Sequence, residues 1–155
     1  MAEQQENGQG QAPQITDEQR RELEAQWVRD SLQKANSYLA KKGIMPQGVL
    51  QAESRLLPPL IAIWRIKGRE NNRVADYWVL SGNLPTDHVS VKTAASPRDA
   101  LRHFYLTWQV QAENIVQGPG RNDPVQLDFA RLLVNRAEGL YQIHQDEGLW
   151  QRQPV

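Results

Sequence analysis

Three features are missing from this 155-residue sequence: cysteine, a long apolar run, and an excess of charge of either sign. Without cysteine the chain cannot form a disulfide, a thiolate zinc site or a cysteine nucleophile. No apolar run approaches the roughly 20 residues of a membrane-spanning helix, and the N-terminus lacks the charged and apolar regions of a signal peptide. We therefore expect a cytoplasmic protein that does not enter a membrane.

The charges are balanced along the chain as well as in total. The 18 basic residues equal the 18 acidic ones, so the formal net charge is zero. Because charges of one sign do not cluster, the sequence offers no basic surface for nucleic acid or for an anionic membrane. We expect neither of them to be a partner.

A polar leader precedes the globular part of the chain. Residues 1–14 are rich in Gln and contain almost nothing apolar, which is typical of a disordered segment. Residues 15–150 are numerous enough for one domain with a sizeable core. The sequence therefore predicts a disordered leader followed by a single domain.

Three helices are indicated by their start signals. Each signal joins a capping side chain to a residue that favours the first turn. The three pairs are Thr16 with Gln19, Ser96 with Pro97, and Asp123 with Pro124. Apolar residues at steps of three and four follow each pair, and the first helix is predicted over residues 17–42, ending before Gly43.

Between the first and second helices the pattern becomes that of strands. Residues 60–67 and 74–81 indicate an antiparallel hairpin with a loop of about five residues that begins at Gly68. Residues 88–91 add a short edge strand, whereas residues 49–55 are a weak strand or an irregular lead-in. The predicted fold is α+β: an antiparallel sheet of two to three strands packed with three helices, in the order α-β-β-(β)-α-α.

The turn after the second strand is the candidate working surface. In residues 78–88 (WVLSGNLPTDH) a strand runs into a turn where Gly82 permits unusual backbone geometry and Pro85 fixes its own φ. Loops that rigid elements hold in place often carry function. The predicted contact residues of this segment are Trp78, Gly82, Asn83, Leu84, Pro85, Thr86, Asp87 and His88.

This segment and the helix after it resemble an uncharacterised bacterial family of unknown function. The family has a centre of the form W-V-x-x-G-[D/N]-L-P-T-D, then a helix of the form P-R-[D/E]-A-[L/M]-R and a downstream Trp. Residues 78–88, residues 96–102 and Trp108 match these three parts, and Asn83 stands where Asp is more usual. The resemblance covers roughly residues 17–117. It implies a small, soluble, cytoplasmic bacterial protein and no particular reaction.

The function that we favour is a non-enzymatic interaction or regulatory module that binds another protein through this turn. In this hypothesis Leu84 and Pro85 give the surface its shape, while Asp87 and His88 give polar specificity. Arg98 and Arg102, at the start of the second predicted helix, bind acidic groups of the partner. The sequence leaves the oligomeric state open.

The alternative is a small metal-dependent or acid/base enzyme that uses Asp87, His88 and His103. It requires Asp87 to converge with one of the histidines in a concave pocket, although adjacent residues of an extended chain point to opposite sides. Turn hydrogen bonding explains Asp87, and helix capping explains Asp99, four residues before His103. We therefore assign no catalytic residue, metal ligand or cofactor.

The hairpin carries aromatic residues on both faces. Tyr77 and Trp78 are adjacent and so point to opposite sides of the sheet. Trp64 or Tyr77 beside Arg65 forms a patch suited to protein recognition if that face is uncovered. In the other interpretation the first helix covers it.

Overall fold

The structure is a computed structural model that describes residues 14–151. Its four helices are α1 (Asp17–Lys41), α2 (Pro97–Gln117), α3 (Pro124–Gln145) and α4 (Glu147–Gln151). Its five strands are β1 (Met45–Val49), β2 (Arg55–Leu57), β3 (Ile61–Glu70), β4 (Arg73–Gly82) and β5 (Asp87–Ser90). The predicted α+β class and the order of its elements are confirmed, while the strand count exceeds the predicted two to three and the short helix α4 follows the three predicted helices.

The predicted Gln-rich leader lies, except for Gln14, outside the described residues. The division of the chain into a leader and a single domain stays a prediction. Among residues 14–151, no helix combines the length and the apolar character that crossing a membrane requires.

The long helices begin where their capping residues predict. The Thr16 hydroxyl accepts a hydrogen bond from the Gln19 amide at 3.1 Å, and the Gln19 side chain accepts one from the Thr16 amide at 2.9 Å. The Ser96 and Asp123 side chains likewise accept bonds from first-turn amides of α2 and α3. Gly43 follows α1 with a φ of 82°, the left-handed geometry expected just after a helix.

All strands are antiparallel, and the sheet has the order β1-β3-β4-β5, with β2 also paired to β3. Since β4 pairs with the whole length of β3, strands β1 and β2 share the opposite edge of β3. Pro46 and Gly48, unfavourable in strands, lie within β1 and flank a register shift. β2 has only three residues. The sequence underestimates both strands because pairing with β3, not local pattern, creates them.

The β3–β4 hairpin is longer than predicted and its turn is shorter. Its strands pair from Ile61 with Gly82 to Glu70 with Arg73, so only two residues connect them instead of about five. Gly68 belongs to β3, where a Cβ would lie 2.5 Å from the Ile44 side chain. That glycine therefore permits close packing and does not form the turn.

Helices cover both faces of the sheet. Alternate β3 residues separate into two clusters: Ile61 and Ile63 pack on the side of α2 and α3, and Ala62, Trp64 and Ile66 pack on the side of α1. This alternation is the expected period of a strand buried on both faces. The result is a sheet between a layer of one helix and a layer of two.

The sheet face that carries Trp64 and Tyr77 is covered by the first helix, so the exposed aromatic patch of the first alternative does not form. Trp64 is buried there, and its indole nitrogen donates to the Ser81 hydroxyl at 3.0 Å. Arg65 points away from that face and contacts Asp76 at 2.9 Å and Glu53 at 3.1 Å. The interpretation in which the first helix covers this surface is therefore correct.

Candidate functional site

The turn of residues 82–88 (the 82–88 turn) connects β4 to the edge strand β5 and runs beside α1. Gly82 has a φ of 139°, and a Cβ there would lie 3.0 Å from the Leu60 carbonyl oxygen and 3.1 Å from Leu84 Cδ2. From α1, the Lys34 ammonium donates a hydrogen bond to the Gly82 carbonyl at 3.3 Å. The turn therefore requires glycine at this position and is tied to α1.

Asp87 connects three elements of the fold. One carboxylate oxygen accepts a hydrogen bond from the Trp108 indole of α2 at 2.8 Å. The other accepts one from the amide of His88 at 2.8 Å and lies 3.4 Å from the Tyr38 hydroxyl of α1. The carboxylate therefore joins both helix layers to the start of β5.

His88 lies on the α1 side of the sheet. Its partner across the strands is Val79, whereas that of Asp87 is Leu80, so the two side chains start from opposite faces as predicted. His88 Nδ1 lies 3.0 Å from the Tyr38 hydroxyl, and its ring packs edge-on against Tyr38. Both side chains nevertheless reach this hydroxyl, Asp87 at 3.4 Å and His88 at 3.0 Å.

The proton states of this cluster follow from burial and charge. Burial, assisted by the Asp87 carboxylate, raises the pKa of Tyr38 to about 12. Burial also lowers the pKa of His88, although Asp87 opposes that change. At neutral pH the hydroxyl is thus a donor and the imidazole is neutral, an arrangement that suits a hydrogen bond between the two and not a nucleophilic Tyr38.

The predicted contact residue Trp78 is not on the surface. Its side chain is 2% exposed, and its indole nitrogen donates to the Ala94 carbonyl at 2.9 Å. Gly82 is also buried, and Leu84 packs against the apolar cluster under α2. Tryptophan in a strand is usually a core residue, which corrects the prediction for Trp78.

Three residues of the 82–88 turn reach solvent and take no part in the hydrogen bonds described above. Asn83 is exposed, while Pro85 and Thr86 are half-buried. The part of the turn that can meet a partner is therefore smaller than the predicted set.

Arg98, which was predicted to bind an acidic group of a partner, contacts acidic and backbone groups of its own chain. Its guanidinium donates to the Glu147 carboxylate and to the His144 carbonyl, each at 2.7 Å, and lies 5.4 Å from the Trp150 ring. The hydrogen bond from Arg98 lowers the pKa of Glu147. Arg98 therefore holds α4 against the start of α2, and its contact with a partner stays a prediction.

Arg102 differs from Arg98, one helical turn earlier. Its side chain is exposed and forms no hydrogen bond or ion pair with the other residues of the range 14–151. Of the two predicted arginines, Arg102 is the more exposed and has no such intrachain contact among the described residues.

The three residues of the enzyme alternative do not form one cluster. His103 is half-buried on α2, where its ring packs edge-on against Phe104. The hydrogen-bond partners of the Asp87 carboxylate are Trp108, Tyr38 and the His88 amide. In the described part of the chain, no three His, Asp or Glu side chains lie close enough together to hold a metal ion.

A groove of about 650 Å³ separates α1 from the 82–88 turn. We call it the α1 groove. Its walls are formed by Asp30, Gln33, Lys34, Ser37, Tyr38, Lys41 and Thr86. Sequence reasoning predicted Thr86 but missed the helix residues. Their signal is the recurrence of polar residues at steps of three and four, which every exposed helix face shares.

The family model described as "Domain of unknown function (DUF4826)" matches residues 21–150. The chain belongs to this family. The resemblance to a family of unknown function that the 78–88 segment indicates is therefore confirmed. The match includes the 82–88 turn, Arg102 and the α1 groove, so all of them lie within the family domain. No curated protein and no solved structure matches the chain.

Proposed function

We propose that this protein is a non-enzymatic interaction module of the bacterial cytoplasm, and that it binds a partner protein in the α1 groove. The observation that carries the proposal is the position of this groove between α1 and the 82–88 turn. The predicted turn remains part of the contact surface. The centre of that surface lies on α1 and not at Asp87 and His88.

The charges and polar groups of the groove indicate the chemistry of its partner. Lys34 and Lys41 supply two ammonium groups, while Asp30 is the single acidic wall residue. The hydroxyls of Ser37 and Thr86 can both donate and accept hydrogen bonds. An acidic, extended segment of another protein fits such a surface, because carboxylates pair with the ammonium groups and backbone groups pair with the hydroxyls.

The cluster behind the groove supports binding by keeping its walls in place. Tyr38 is both a wall residue and the hydrogen-bond partner of Asp87 and His88. A surface that is already ordered loses little conformational entropy when it binds. Asp87 and His88 therefore act by positioning Tyr38 and the turn, and do not themselves touch the partner.

The test is affinity purification from bacterial lysate with matched charge-reversal variants as baits. We expect the wild-type chain to retain a partner that the Lys34→Glu, Lys41→Glu double variant loses. The control is the Lys67→Glu, Lys92→Glu double variant, which changes net charge equally at exposed positions outside the groove. An acidic partner should also elute as salt rises, since screening weakens exposed ion pairs.

Two results would contradict the proposal. One is a partner that both double variants retain equally, which would place binding elsewhere on the surface. The other is equal loss in both variants, which would show a dependence on overall charge and not on the groove.

A further inference from the structure

The side of α2 that faces away from the sheet carries apolar residues that are exposed to solvent. Leu106 is 40% exposed and Val110 is 60% exposed, and their spacing of four places them on one helix face. The opposite side of the same helix already packs into the core through Leu101, Phe104 and Trp108. The exposed pair is therefore not needed for the fold of this helix.

Charges of opposite sign lie at the two ends of this apolar pair. Arg102 precedes Leu106 by four residues, and Glu113 follows it by seven, so all three occupy one face of α2. Arg102 has no ion-pair partner among the described residues, and the Glu113 carboxylate accepts a hydrogen bond from Gln117 at 3.0 Å. We call Arg102, Leu106, Val110 and Glu113 the α2 stripe.

We propose that the α2 stripe binds a second copy of this chain, with the two α2 helices antiparallel about a two-fold axis. A two-fold interface uses the same patch on both subunits, so the patch must complement itself. Reversal of the stripe places Arg102 opposite Glu113 of the second copy, and Glu113 opposite Arg102 of the second copy. Leu106 then meets Val110 of the second copy at the centre.

One axis satisfies the charged and the apolar pairs together. The midpoint between Arg102 and Glu113 lies half a residue from the midpoint between Leu106 and Val110. At a rise of about 1.5 Å per residue, the two midpoints differ by less than about 1 Å along the helix. The charge pattern therefore selects a second copy in this one orientation.

The neighbouring groove between α2 and α3 enlarges this surface. It has a volume of about 730 Å³, includes Glu113 of the stripe, and has the exposed side chains of Val116 and Val134 in its walls. A stable interface buries about 800 Å² on each partner, more than one helix face supplies. The groove adds apolar area to that of the α2 stripe.

The α2 stripe is independent of the proposed function. It lies on the helix layer that covers the other face of the sheet, so a dimer leaves the α1 groove accessible. The failure of either proposal would leave the other standing.

Sedimentation equilibrium of the full chain across a wide range of concentrations tests this interface. We expect a monomer–dimer equilibrium for the wild type. Val110→Lys should abolish the dimer, whereas Val125→Lys, at an exposed valine of α3 outside the stripe, should leave it unchanged. Thermal unfolding of both variants checks that they remain folded.

A charge-reversal cycle then tests the orientation. Arg102→Glu and Glu113→Arg should each weaken dimerisation by at least about tenfold, because each places like charges opposite one another at both ends of the interface. The double variant should restore it. A wild type that stays monomeric at every concentration overturns the proposal, and so does a dimer that Val110→Lys or the single reversals leave unaffected.

Discussion

The two faces of the sheet are covered by helices that are held in different ways. On the side of α2 and α3, 16 buried residues form one apolar cluster, whereas 8 form the cluster under α1. Ala35 and Leu39 are the buried residues of α1 in its cluster, and the partly buried Trp27, Val28, Leu32 and Tyr38 of the same helix pack against it. Hydrogen bonds supplement these apolar contacts, such as the bond from the Ser81 hydroxyl to the Ser31 carbonyl at 2.8 Å.

This difference explains why the polar residues predicted to form a surface site point inward. Asp87 and His88 take part in hydrogen bonds between α1 and the start of β5, and Lys34 of α1 donates one to the end of β4. A helix that packs on the smaller of two buried clusters gains from such bonds, since each contributes about 1 kcal/mol net. Polar residues beside a turn therefore need not indicate a binding site.

The largest predicted loss of stability comes from the larger apolar cluster, on the side of α2 and α3. Phe104 is 1% exposed in the larger cluster, so Phe104→Ala should lower the free energy of unfolding by roughly 3–5 kcal/mol. Phe129, 40% exposed on α3, is a control of the same residue type. Denaturant titration of both variants measures the difference, and equal losses would contradict the assignment of this core.

Next in size is Gly82→Val, at the turn that faces α1. The φ of 139° is unfavourable for valine, and its Cβ would press on the Leu60 carbonyl. We expect a loss of about 3 kcal/mol by thermal or chemical unfolding. Gly48→Val is the matched control, because its Cβ would meet nothing within 4 Å. Unchanged stability of the Gly82 variant would contradict the described turn.

A smaller loss is expected for Asp87→Ala, which removes the carboxylate shared by both layers. It leaves the buried Trp108 indole without its acceptor, at an expected cost of about 2 kcal/mol. Asp128→Ala breaks an exposed ion pair with Arg131 and should cost less than about 1 kcal/mol. If chemical unfolding gives the two variants equal stability, the hydrogen bonds of Asp87 do not stabilise the packing of α1 on the sheet.

The smallest predicted effect is a pH dependence from His88. Burial lowers the pKa of the native imidazole, so the unfolded chain binds the proton more readily. Stability should therefore fall as pH drops below the unfolded pKa of about 6.5, towards the lower native pKa.

The His88→Gln variant isolates this contribution. Stability curves between pH 7 and the onset of carboxylate protonation should be flatter for the variant than for the wild type. The slope that remains has a source in His144. Burial lowers the pKa of its imidazole, and so do the nearby Arg98 and Arg102. An unchanged slope would show that His88 is not buried in the native state.

Local signals in the sequence predicted the helices better than the sheet. The capping pairs at Thr16 and Ser96 act within a few residues, so they locate helix starts without knowledge of the rest of the chain. Strand β1, by contrast, contains Pro46 and becomes a strand through its pairing with residues far along the chain in β3. Strand formation of that kind depends on tertiary context more than on the residues themselves.

The same limit applies to the candidate site. The need for glycine at position 82 followed from the turn pattern, but the contacts of Asp87 did not. Its partners Tyr38 and Trp108 lie 49 and 21 residues away in the sequence. Only the packing of both helices onto the sheet brings these groups together, so a search among nearby residues could not find them.

The edges of the sheet have a consequence for how the protein behaves at high concentration. Long, regular edge strands invite other chains to add to the sheet and thereby start aggregation. Here β5 is only four residues long, and Pro46 and a register shift interrupt β1. The ten-residue strands β3 and β4 are thus flanked by poor templates, which protects the folded chain from polymerisation through its sheet.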